Sequence, residues 1–99
     1  MDRIECSVWN NGGSGWGLDV LGGAELRRAN FDRQRGFVIL VLDGVEVKVN
    51  IAKPSFWNEK CGELIKKELG EYFKRHGLST GDRLWLRSVE PRKRFAVEQ

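Results

Sequence analysis

The segment Phe37–Ile51 constrains this chain more than any other. Phe37 to Leu42 is a run of β-favouring apolar residues, Asp43-Gly44 follows, and Val45, Val47, Val49 and Ile51 then alternate with Glu46, Lys48 and Asn50. Asp-Gly tolerates positive φ at both central positions of a type I′ turn, whose twist matches that of paired strands, so the segment reads as a β-hairpin. The first strand is apolar on both faces and belongs inside a sheet. The second is half-exposed, with Lys48 toward solvent. A chain built round such a hairpin needs further strands to cover it.

Those strands are visible on both sides. Ile4 to Trp9 alternates apolar and polar residues, Leu18, Val20 and Leu21 make a second short strand, and Arg83 to Val89 alternates again, with Leu84, Leu86 and Ser88 on one face. Phe95 and Val97 end the series. Ala24 to Asn30 is rich in helix formers, with Phe31 packed beneath. After Lys53-Pro54-Ser55 breaks the strand, Asn58 is a candidate N-cap. Cys61, Leu64, Ile65, Leu69, Tyr72 and Phe73 recur at helical spacing, which predicts one helix over about 59–76, kinked or split at Gly70. His76-Gly77-Leu78 suits its C-terminus. The expected architecture is α+β, mainly β: a small, strongly curved open barrel with one longer and one short helix. Residues 1–99 form a single domain, with Phe37, Ile39, Val47, Leu69, Phe73, Leu84 and Phe95 largely buried.

Composition narrows the function. The 99 residues carry a net charge of +3, with residues 1–50 at net −1 and residues 51–99 at net +4. The excess lies at Lys66-Lys67, Lys74-Arg75 and Arg92-Lys93-Arg94, a distribution that attracts phosphate or simply keeps a surface soluble. No apolar run is long enough to cross a bilayer, and no apolar signal segment precedes the domain. The expected setting is therefore cytoplasmic, with Cys6 and Cys61 as free thiols. Cys6, Cys61 and His76 lack zinc-site spacing, so no metal or other cofactor is expected. His76, the single histidine, has no carboxylate partner in a recognisable motif, and Glu63, Glu68 and Glu71 read as a solvated helix face. The expectation is a binding module and not an enzyme.

Two loops remain without an assignment. Asn10–Gly17 is glycine-rich but lacks the GK[ST] of a phosphate-binding loop. Its Trp16 either packs on the body or binds something. In the second loop, Phe56 fits a hydrophobic staple at a helix start, and Trp57 fits either packing or recognition.

From Phe37 onward the chain resembles the DNA-binding pseudobarrel family, found in plant auxin- and abscisic-acid-response transcription factors and in effector-binding parts of some restriction endonucleases. The resemblance rests on Val38–Leu42, Asp43-Gly44, Val45–Ile51, Phe56-Trp57, Tyr72-Phe73, Gly77-Leu78, Gly81-Asp82, Leu84–Arg87 and Phe95-Ala96-Val97, with Leu78-Ser79-Thr80-Gly81-Asp82 the most specific part. Gly17–Phe31 matches more loosely. The resemblance implies a seven-stranded open barrel with two short helices. It also implies that duplex DNA is gripped in the major groove by two arms, here residues 10–17 and 51–58. Asn10, Asn11, Ser14 and Trp16 on the first arm, and Lys53, Ser55, Trp57, Asn58 and the adjoining Lys60 on the second, are then the candidate DNA-binding residues. The first arm carries no Lys or Arg. The alternative is a protein-interaction module on the same barrel without nucleic-acid contact.

Overall fold

The computed structural model describes residues 3–10, 15–58 and 62–99. In chain order these form β1 (Arg3–Asn10), β2 (Trp16–Val20), α1 (Gly23–Asn30), β3 (Phe37–Leu42), β4 (Val45–Asn50), α2 (Pro54–Asn58), β5 (Gly62–Ile65), α3 (Lys67–Arg75), β6 (Arg83–Glu90) and β7 (Arg94–Glu98). The seven strands make one sheet in the order β4-β3-β7-β6-β1-β2-β5, curled into a nearly closed barrel. Every pairing is antiparallel except β3 with β7. The two edge strands, β4 and β5, face one another across a seam that no ladder closes.

The hairpin forms as its sequence requires. Asp43 and Gly44 both take positive φ, 52° and 83°, and the register runs from Phe37 opposite Asn50 to Leu42 opposite Val45. This register sends Val38, Leu40, Leu42, Val47 and Val49 inward. They meet Ile4, Cys6 and Val8 from β1, Leu18 and Val20 from β2, Leu84 and Leu86 from β6, and Phe95 and Val97 from β7. The period of two along each strand puts these side chains on one face of the sheet, and curling that face inward gives one core. Phe37 and Ile39, expected to be largely buried, are only half-buried. On a strand of unbroken apolar residues the register alone decides which set faces in, and here it chose the other. Ser88 pairs with Phe95 in phase with Leu84 and Leu86 but is exposed, and beyond it the β6–β7 register shifts between Ser88 and Glu90.

Helices plug the two ends. Directions follow from the β2–β5 ladder, in which Gly17 opposes Ile65 and Val20 opposes Gly62. At the Val20–Gly62 end, β2 runs on toward α1 and the β4–β5 connection enters, and there Phe31, Phe56 and Trp57 are buried. Phe31 packs edge-on against Phe56 and tilted against Phe95, with centroids 5.3 and 5.2 Å apart. At the other end, where β1 turns into β2, α3 buries Leu69, Tyr72 and Phe73. Gly77, at φ 64°, ends α3 in the expected way, and the Leu78 N–H donates to the Phe73 carbonyl at 2.9 Å.

In place of the single helix expected over 59–76, the described residues of that span form β5 and α3, and a separate short helix, α2, precedes them. Asn58 is therefore the last residue of α2 and not a helix N-cap, and Pro54 opens α2, where its missing N–H costs nothing. The physical reason lies in β2. Its outer edge presents N–H and C=O groups that need partners, and Gly62–Ile65 supplies them as β5. A four-residue strand contributes one inward side chain, Leu64. It suits an apolar spacing read as helical as well as a helix does. Gly70, expected to kink or split a long helix, lies within α3 for a steric reason: a Cβ there would stand 2.7 Å from Trp16 Cδ1.

Candidate nucleic-acid interface

The second arm is a rigid element. Phe56 and Trp57 point into the barrel, 0% and 4% exposed, with their rings edge-to-face at 5.0 Å. The Trp57 indole N–H donates to the Ile51 carbonyl at 2.7 Å, and the Asn50 side-chain oxygen accepts from the Ala52 N–H at 2.8 Å. Gly62 fixes where the arm returns: a Cβ there would collide with the Arg27 stem and stand 3.0 Å from the Phe56 carbonyl oxygen. Trp57 is thus an anchor, and its proposed recognition role is corrected: an indole this buried has no face to offer a base. Lys53 and Ser55 are half-buried and Asn58 is exposed on the outer side. Lys60 lies outside the described residues, as does Cys61.

The α1–β3 loop lies against this arm, held by the Ile51 N–H donating to the Gly36 carbonyl at 2.9 Å. Asp32 shapes the loop, its carboxylate accepting from the N–H groups of Gln34 and Arg35 at 3.0 and 3.2 Å. This projects two arginines. The Arg33 guanidinium lies 5.6 Å from the Trp57 ring centroid, and Arg35 lies 6.0 Å from that of Phe37. Lys48 stands over the same Phe37 ring at 4.2 Å. Among the described residues, no carboxylate lies within ion-pair distance of Arg33, Lys48, Lys53 or Lys66. Arg35 has a long contact to Asp32 at 3.8 Å.

The first arm presents a different surface. Asn10 ends β1 opposite Trp16, and Trp16 packs on Phe73, with ring centroids 5.6 Å apart. Trp16 is therefore occupied by the α3 end of the core. Asn11 and Ser14 lie outside the described residues. Between the two arms, on the outward side of the β2–β5 ladder, Asp19 is paired with Glu63. Partial burial, followed by the Glu63 charge, pushes the Asp19 carboxyl above the usual carboxylate range. The face between the arms is acidic.

Of the basic stretches conspicuous in the sequence, Arg75 and Arg92–Arg94 are occupied, while no described carboxylate pairs with Lys66, Lys67 or Lys74. Arg92 donates to the Phe31 carbonyl at 3.0 Å. Lys93 lies 3.9 Å from Glu90, and Arg94 pairs with Glu90 and, at 3.0 Å, with Glu46. Arg75 lies 3.1 Å from Asp43, and Arg83 and Arg87 pair with Glu5 and Glu98.

His76 does have a carboxylate partner, against the sequence reading. Its Nε2 lies 2.9 Å from Asp43, its Nδ1 2.8 Å from the Gln99 amide, and its ring 4.3 Å from Tyr72. The hydrogen bond from His76, and then that from Arg75, hold the Asp43 carboxyl below its usual range. The cluster ties the β3–β4 turn to the end of α3. Burial pushes the Cys6 thiol far up, which keeps it protonated. Among the described residues no group of three or more His, Cys, Asp or Glu is placed to hold a metal, and no helix is long and apolar enough to cross a membrane.

Sequence reasoning missed Arg33 and Arg35 as members of the cationic surface, whereas Lys66 was already counted in the basic excess of the second half. Charge counted over halves of the chain hid Arg33 and Arg35 inside a segment of net −1. The local signal, two arginines in the Asp32–Gly36 turn, was readable, but its place beside residues 50–53 was not. Comparison of the chain with family models, with curated proteins and with solved structures finds no match.

Proposed function

We propose that this domain binds duplex DNA, with the second arm and the neighbouring α1–β3 loop making the main contact. The observation that carries the reading is the rigid second arm. It displays Lys53, Ser55 and Asn58 beside Arg33, and no described carboxylate neutralises Lys53 or Arg33. Phosphate contacts from such cations supply affinity, while short amides and hydroxyls beside them read base edges. The resemblance to the DNA-binding pseudobarrel family supports the same loop. Spacing supports a role for both arms: they meet the β2–β5 ladder at its opposite ends, about 10 Å apart for four paired residues, close to the roughly 12 Å width of a major groove. The Asp19–Glu63 pair between them repels a phosphate backbone, so the contact is weighted toward the second arm and not shared equally.

The test is an anisotropy titration of wild type and of the Lys53→Gln and Arg33→Gln variants against duplex DNA at several salt concentrations. Each substitution should lower the salt slope by about one unit. Absence of binding at low salt overturns the reading. A protein-interaction module is then favoured by the outer face of the hairpin, where Phe37, Ile39 and Val41 form a half-buried apolar row.

A further inference from the structure

The open seam between β4 and β5 holds a cleft of about 420 Å³ lined by Gly36, Phe37, Lys48, Asn50 and Lys66. Three features set it apart from the other surface depressions. Its charged groups are two ammonium groups, brought in from β4 and from the β5–α3 junction, with no described carboxylate within ion-pair distance of either. The Phe37 ring holds Lys48 in place, the ammonium resting 4.2 Å from its centroid, and Arg35 approaches the same ring. Asn50, opposite Phe37 in the register, has its side-chain oxygen committed to the Ala52 N–H, which leaves its amide nitrogen to donate. The side-chain polar groups left over are all donors, on an edge strand that no neighbour covers.

We infer that this cleft is a phosphate site, in which Lys48, Lys66 and the Asn50 amide hold the oxygens of a phosphate ester. Two ammonium groups match the charge of a phosphate monoester, and charge-assisted donors are the strong ones for such an oxygen. The volume exceeds what a phosphate alone fills and falls within the range of small-molecule pockets, so it admits the sugar next to the phosphate. Two sources carry this chemistry: a free nucleotide-sized phosphate ester, or a phosphate of a nucleic-acid backbone. The inference stands apart from duplex binding by the second arm.

The experiment is an amide chemical-shift titration of the whole chain with inorganic phosphate, adenosine 5′-monophosphate, adenosine and a short duplex. Wild type should show saturable shifts at Gly36, Phe37, Asn50 and Lys66 with the two phosphates and none with adenosine. Lys48→Gln combined with Lys66→Gln should weaken phosphate-ester binding at least about tenfold, the loss of two charge-assisted contacts. Lys93→Gln, at a cation already committed to Glu90, should leave it unchanged. The spectrum of the double variant reports whether the fold is kept, and single Lys48→Gln and Lys66→Gln variants serve if it is not. If the duplex moves the same amides and competes with the nucleotide, the source is the backbone; if the free esters alone move them, it is a small ligand. Cleft amides that no phosphate moves, or affinity unchanged in well-folded variants, overturn the inference even where the duplex binds elsewhere. Phosphate binding without any duplex binding leaves it standing and removes the DNA reading.

Discussion

Two basic regions of this barrel, the β6–β7 turn at Glu90–Arg94 and the surface formed by the second arm with the α1–β3 loop, differ in what their charges do. The turn has three consecutive cations, Arg92, Lys93 and Arg94, and is the denser cluster in sequence. In the fold each is committed: Arg92 to main-chain carbonyls at the end of α1, Lys93 to Glu90, and Arg94 to Glu90 and Glu46. The other surface holds Arg33 and Lys53, with Lys48 and Lys66 at the neighbouring seam; they come from four separate places in the chain, and no described carboxylate pairs with them. An ion pair cancels the field a phosphate would feel, so an intramolecular partner removes a cation from recognition as effectively as a substitution does. Charge density along a sequence counts cations; a partner census in three dimensions decides which are available.

The comparison fails first if the second arm is not anchored as described. Phe56→Ala removes a fully buried ring beneath it and should cost roughly 3–5 kcal/mol in urea unfolding, with Phe73→Ala at the opposite end costing a similar amount. A loss below about 1 kcal/mol for Phe56 would mean that the arm does not depend on the core. Gly17→Ala tests the ladder between the arms: its Cβ would stand 2.7 Å from the Leu64 carbonyl oxygen and 2.8 Å from the Trp9 ring. It should destabilise by about 1–3 kcal/mol, the usual result of overpacking a tight contact, as read by thermal or urea unfolding.

The charges are tested next. Replacing Arg33 or Lys53 should lower the salt slope of duplex binding by about one unit. Lys93→Gln should leave the slope unchanged and cost under about 1 kcal/mol of stability, since its pair with Glu90 is exposed. Equal effects at the two regions would erase the distinction between them.

The smallest effect is at the acidic face. Asp19→Asn removes the cross-strand repulsion with Glu63 and should stabilise by about 0.2–1 kcal/mol at neutral pH. The sign of its pH dependence follows from the raised carboxyl. The Asp19 proton is held more tightly in the folded state. Its contribution to stability is full below the unfolded carboxylate pKa and is lost as pH rises through the higher folded value. The advantage of the variant should therefore shrink on acidification toward the carboxylate range. Unfolding curves of both proteins at neutral and acidic pH check this, and an advantage that grows on acidification would contradict the assignment.

Much of the barrel was legible because strands announce themselves locally. The Asp43-Gly44 turn needs only two residues that accept positive φ, and the alternation in β1, β4 and β6 needs only the pleat. The Gly77-Leu78 helix ending is equally local. The stretch after Pro54 was misread because Leu64, Leu69, Tyr72 and Phe73 are buried under either description, and apolar spacing records burial without recording the element that achieves it. Of the candidate site, Lys53 and Ser55 are half-buried and Asn58 is exposed. Trp57 belongs to the core and Trp16 packs half-buried against it, because a large aromatic in a loop packs wherever the body offers it a place.

The sequence by itself determined the hairpin, the strand-rich composition of the fold, the short first helix and an overall positive charge, each the result of interactions among residues a few positions apart. The tertiary structure decided the rest. It chose β5 over a helix because the open edge of β2 needed backbone partners, and it turned Val38 and Leu40 inward in place of Phe37 and Ile39. It also paired the cations of one basic region while gathering at the seam others that no described carboxylate pairs. These outcomes depend on contacts between segments far apart in the chain, whose geometry no local pattern encodes.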